Sequence, residues 1–218
     1  MIATETDLFS TVQTLPNNSV ARIYGVSWGD YEDLANKMEQ FPAHRIWFDE
    51  GKLSVMSPKP NHEKPKTFFT RIGQILSDEL SLDIEDLGST TYKSELKKKG
   101  AGPDVCFYVE NAKYIIGLED FDTSVVPPPD VVIEIDTTND SWDKFPIYAS
   151  FGVKEIWRYD GTEVKFYQLV EEKYEEIENS LSFPILSAKV LTEFILRTKN
   201  EGQTHILRDF RNWLKSQI

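Results

Sequence analysis

The chain has 218 residues, 40% hydrophobic and 12% aromatic, enough apolar mass for one ordinary folded domain and too much for a disordered chain. Its net charge of −12 repels phosphate and argues against broad, unspecific affinity for nucleic acid, though a local basic patch can overrule the sum. There is no run of about 18 apolar residues, and no basic stretch followed by an apolar one at the start, so no membrane span or secretion signal is indicated and a cytoplasmic location is expected.

Residues 1–18 read as a flexible tail, followed by a single domain over 19–218. A strand is expected in SVARIYGV, then a helix in WGDYEDLANKMEQF, capped by Ser27 and ended by Pro42. HRIWFDE and KLSVMSP form a predicted hairpin around Glu50-Gly51, closed by Pro58 and Pro60. NHEKPKTFFTRIGQILSDEL carries Phe68, Ile72, Ile75 and Leu76 at helical spacing, with Asn61 as cap, and is the expected core helix. His62 and Glu63 fall in its first turn, where the helix dipole favours a carboxylate. A histidine there is a candidate ligand or proton acceptor, or an ordinary surface or hydrogen-bonded residue.

DIEDLGSTTYKSEL reads as strand, Gly-Ser turn and strand. Lys93, Lys97, Lys98 and Lys99 then make a basic run, and residues 189–218 carry six Lys or Arg against three Asp or Glu; such runs are either solvated faces or phosphate contacts. In the strand PDVCFYVE, Asp104, Cys106 and Tyr108 share one face and Val105, Phe107 and Val109 the other. The single cysteine, Cys106, has no internal disulfide partner, which fits a reducing compartment and a packing role. Residues 110–129 are a connection whose structure is left open.

Residues 130–160 concentrate the charge that needs explaining. Val131, Val132 and Ile133 read as a buried strand running into Glu134 and Asp136, which share a face about 7 Å apart. Burying a carboxylate costs several kcal/mol unless a cation or hydrogen bonds meet it, so this strand end has a partner or is open. A short helix follows, capped by Asp143 or Ser141, with Lys144 and Tyr148 on one face and Gly152 at its end. VKEIWRYD and TEVKFYQLV make a hairpin around Gly161-Thr162, KYEEIENS adds a third strand, and two amphipathic helices flank Gly202. From residues alone, Glu134, Asp136 and Lys144 are an ion-pair network or part of an active site, with Asp104 and Asp130 following prolines as turn acids do. Glu134 and Asp136 also have the separation of an inverting acid/base pair, a hydrolase reading that no sugar-binding aromatic pattern supports.

The run SPKPNHEK before an apolar helix, then GSTTY, a Pro-Asp strand with CFY, PPDVVIEID and DKFPIYASFGVKEIWRYDG together resemble the Uma2 family of restriction-type endonucleases, a branch of the PD-(D/E)XK nuclease superfamily, over roughly residues 20–215. The resemblance implies an α/β fold, a restriction-endonuclease-like mixed sheet flanked by helices, with hairpins and two C-terminal helices. It implies hydrolysis of DNA phosphodiester bonds, a Mg²⁺ or Mn²⁺ ion held by Asp104, Glu134 and Asp136, and catalytic roles for these acids with Lys144, His62 and Glu63. Lys144 stands on the helix, and Asp136 occupies the position two after Glu134 where the superfamily places its lysine. A homodimer is expected, since cutting both strands takes two sites. The alternative is a nuclease-fold module that binds nucleic acid or protein without cleaving.

Overall fold

The computed structural model describes residues 5–16, 19–38, 44–57, 62–118, 122–123, 125–137 and 140–218. The expected stops at Pro42, Pro58 and Pro60 and the expected cap Asn61 lie outside the described residues. In chain order the elements are α1 (Glu5–Gln13), β1 (Val20–Tyr24), α2 (Trp28–Met38), β2 (Arg45–Asp49), β3 (Lys52–Met56), α3 (Glu63–Leu80), β4 (Glu85–Asp86), β5 (Tyr92–Ser94) and β6 (Lys99–Ala101). They continue with β7 (Val105–Tyr108), β8 (Val131–Ile135), α4 (Phe145–Phe151), β9 (Glu155–Tyr159), β10 (Val164–Val170), β11 (Lys173–Ile177), α5 (Ala188–Arg197) and α6 (Gln203–Lys215). The fold is mixed α/β, and none of the described helices is long and apolar enough to cross a membrane.

The chain divides into two compact units, Met1–Pro60 with Thr91–Gly102, and Asn61–Thr90 with Pro103–Ile218. The first holds an antiparallel sheet in the order β1-β3-β2-β6-β5. The β2–β3 hairpin turns at Glu50 and Gly51, both at positive φ (47° and 95°), as a two-residue turn matched to strand twist demands. Ser27 caps α2 as predicted: its hydroxyl accepts from the Asp30 N–H at 3.1 Å and donates to the Asp30 carboxylate at 2.7 Å. The expected tail contains α1, because Leu8 and Val12 are buried with Trp28, Tyr31 and Phe48 in this unit's core. The end of the basic run supplies strand β6. Its Gly100 lies against the ring of Tyr31, where a side chain has no room.

The second unit is built on a six-stranded sheet in the order β11-β10-β9-β8-β7-β4, antiparallel except for β8 with β9. The strand pair read on either side of the Gly-Ser turn therefore separates, β4 joining this sheet and β5 the other. Alternation sends Val131, Ile133 and Ile135 of β8, Val105 and Phe107 of β7, and Trp157 and Tyr159 of β9 into one core with α3, α5 and α6. Val132, Glu134, Cys106 and Arg158 take the opposite face, as the register Glu134↔Arg158 requires. The connection left open after β7 contains a 3₁₀ turn at Ala112–Tyr114, and Asp130 closes it by accepting from the Val109 and Asn111 N–H groups at 2.8 and 2.9 Å. Asp130 is thus a turn acid.

Candidate active site

The site forms where β7 and β8 run side by side. The register Val105↔Ile133 carries one step further brings Asp104 alongside Glu134, both pointing away from the helix-covered core. Asp104 is 1% exposed and Glu134 2%. The Ile135 N–H donates to Asp104 Oδ2 at 2.8 Å, so the first acid is fixed by the strand that carries the second.

A 3₁₀ turn, Trp142–Lys144, leads directly into α4, with Pro146 in its first turn and Gly152 ending it in the left-handed region at φ 82°. Lys144 and Tyr148, four apart, project together onto Glu134. The Lys144 ammonium donates to Oε1 and Oε2 at 3.0 and 2.9 Å, and the Tyr148 hydroxyl donates to Oε1. Burial, followed by the Glu134 charge, holds the Tyr148 phenol well above its ordinary range, so it stays protonated and remains a donor. Burial pushes the Glu134 carboxyl up to about 7; Lys144 opposes this, Asp104 and Asp136 add to it, and Tyr148 opposes it. The Lys144 ammonium, ten residues on from Glu134 in sequence, thus reaches the strand acid.

Asp136 is committed elsewhere. Its Oδ2 accepts from Arg158 Nε at 2.5 Å and from the Ser141 N–H and hydroxyl at 3.0 Å each. The Ser141 side chain is therefore spent on Asp136, and neither the turn nor α4 has a side-chain cap bond, against the expected cap by Asp143 or Ser141. Burial raises the Asp136 pKa, against the pull of these donors. Among the described residues no group of three or more His, Cys, Asp or Glu side chains is placed to hold a metal ion.

The pair at the start of α3 splits. His62 is buried, its Nε2 lying 2.6 Å from the Ile135 carbonyl oxygen and 3.3 Å from Asp104 Oδ2. Both neighbours are acceptors, so Nε2 carries the proton and donates, tying the start of α3 to β8 and to Asp104. Glu63, the next residue, is exposed. Two residues of the site had no role assigned from sequence, Tyr148 and Arg158. The first had a signal in its spacing from Lys144; the second became visible only once β9 paired parallel to β8.

The lysine run, in the first unit, is largely matched by acids: Lys93 lies 3.8 Å from Glu32, Lys98 3.3 Å from Glu95, and Lys99 pairs with Asp49 and Glu50. In the C-terminal helices Arg197 pairs with Glu201 and Asp209, and Arg211 with Asp78 and Glu79.

Residues 28–199 match the family model Uma2, described as "Putative restriction endonuclease". The chain belongs to the Uma2 family. The matched span includes His62, Asp104, Glu134, Asp136, Lys144, Tyr148 and Arg158, and Uma2 membership supports a nuclease function. No curated protein matches this Uma2 chain. Among solved structures, a putative nuclease from Anabaena variabilis ATCC 29413 is similar, with 17% identity and a TM-score of 0.46, covering 68% of this chain and 89% of that one.

Proposed function

We propose that this Uma2 protein is a divalent-metal-dependent endonuclease that hydrolyses DNA phosphodiester bonds, with Asp104, Glu134 and Lys144 as its reactive groups. The observation that carries the reading is the convergence of two buried carboxylates, one at the start of β7 and one on β8, with one ammonium group supplied by the turn that leads into α4. The donor set fits a hard cation. Mg²⁺ is commonly held by only one or two carboxylates, with water and substrate phosphate completing its shell, so Asp104 and Glu134 suffice without Asp136. When bound, such an ion offsets charge on the transferring phosphoryl group and prepares water for attack.

The other groups position these three. His62 and the Ile135 N–H hold Asp104, while Tyr148 fixes one oxygen of Glu134. Lys144 supplies positive charge where the phosphate gains negative charge, in a site dry enough to make that charge effective. Asp136 acts at one remove, anchoring Arg158. A homodimer would bring two such centres to a duplex, and sedimentation of the purified protein tests for it.

A second reading, a nuclease-fold binding module without cleavage, is favoured by one feature: Glu134, Lys144 and Tyr148 already satisfy each other in a closed cluster. Supercoiled plasmid incubated in Mg²⁺, Mn²⁺ or EDTA, beside Glu134→Ala, separates the two. Ion-dependent nicking that the substitution abolishes is expected; intact plasmid with a folded wild-type protein would leave the binding module.

A further inference from the structure

A large aromatic side chain stands exposed at the edge of this cluster and is not used by the chemistry above. Trp142 is 45% exposed and opens the 3₁₀ turn that ends at Lys144. It is held from several sides. The Arg158 guanidinium lies over its ring at 4.6 Å, Phe145 packs against it at 4.7 Å with a 54° tilt, and Tyr167 meets it edge-on at 5.8 Å and 81°. Arg158 is itself anchored to Asp136, which is anchored to Ser141, so the indole is set by a chain of bonded and stacked groups. The carboxylate chemistry explains none of this apparatus, and leaving so much indole in water runs against its hydrophobic character.

We infer that Trp142 is a stacking platform for an unpaired nucleobase, and that the substrate is therefore single-stranded or locally unpaired nucleic acid. This rests on the nuclease reading of the Glu134 site. An aromatic face accepts any base, because every base has a π-face, and a guanidinium stacked on the ring adds cation–π character. Inside an intact duplex the base faces are already taken by their neighbours, so the platform discriminates between strand states and not between sequences. Trp142 and Lys144 belong to one 3₁₀ turn, so a base on the indole would hold the strand beside the turn that carries the reactive lysine. Trp142 is then a positioning residue. Its loss weakens substrate capture without touching the reacting groups.

The test is a fluorescence-anisotropy titration of a labelled single-stranded oligonucleotide and of its duplex, with wild type, Trp142→Ala and Trp142→Phe, each shown to be folded by circular dichroism. Cleavage of both DNAs in Mn²⁺ is followed in parallel, with Glu134→Ala as control. The wild type is expected to bind the single strand more tightly than the duplex. Trp142→Ala should lose about tenfold on the single strand and little on the duplex, with Trp142→Phe recovering most of the loss. In cleavage, Trp142→Ala should raise KM for the single strand and leave kcat. Equal affinity of Trp142→Ala and wild type for the single strand, or a wild-type preference for duplex, overturns the platform. If cleavage meanwhile persists and still depends on Glu134, the nuclease reading survives. If the wild type neither binds nor cleaves either DNA, both fall together.

Discussion

Glu134 is the residue on which the opposing effects meet. Its carboxyl lies at about 7 in the folded protein against an ordinary 4.5, chiefly through burial, so folding favours the protonated form. The stability that this shift contributes is fully present below about 4.5 and is lost as pH rises through about 7, on the order of a few kcal/mol. Denaturant melts between pH 5 and 8 should show the wild type losing stability with rising pH, a loss absent from Glu134→Gln. A wild-type curve parallel to that of the variant would show that Glu134 does not titrate in this range. At the same scale, His62 was readable from sequence only as a helix-start histidine open to several roles. Its burial against Ile135 and Asp104 depends on where β8 ends relative to α3.

At the scale of elements, the contact between α3 and β7 is tight enough to make a prediction. A methyl group added at Gly73 would sit 2.5 Å from Phe107 Cζ and 2.8 Å from Cε1, and Phe107 is fully buried between Trp157 and the helix. Gly73→Ala improves helix propensity but overpacks the core, and a net loss of about 1–3 kcal/mol is expected in chemical denaturation. Combining it with Phe107→Leu, which shortens the clashing ring, should recover part of that loss. Simple additivity of the two substitutions would show that the contact is not tight. The spacing of Phe68, Ile72, Ile75 and Leu76 made α3 legible because a helix must bury one stripe. The strand β6 was not legible, since Lys99, Gly100 and Ala101 carry no strand pattern and are held by pairing to β2 and β5.

For the whole molecule, the net charge is −12, and Lys93, Lys98, Lys99, Arg197 and Arg211 of the two basic stretches are already paired with acids. Any affinity for DNA should therefore fall with salt on a shallow slope, corresponding to about two to four phosphate contacts at ~0.9 per contact on a log–log plot. A slope twice as steep would require a basic face that these ion pairs do not provide. The surface pairs themselves contribute little to stability, about 0–1 kcal/mol each, so neutralising them should alter association more than folding.

The sequence by itself determined the local order: the capped α2, the Glu50-Gly51 hairpin, the amphipathic C-terminal helices, and the strands that carry Val105–Tyr108 and Val131–Ile135. Periods of 2 and 3.6, together with turn chemistry, act over a few residues and need no partner. The tertiary structure alone decided which cation meets which acid. Lys144 with Glu134 and Arg158 with Asp136 follow from the position of α4 and from the parallel pairing of β8 with β9. The same packing buried His62 while leaving Glu63 exposed, and turned Asp136 to Arg158 and Ser141. Buried charges take the nearest partner that the packing offers, and that distance is not written in the spacing along the chain.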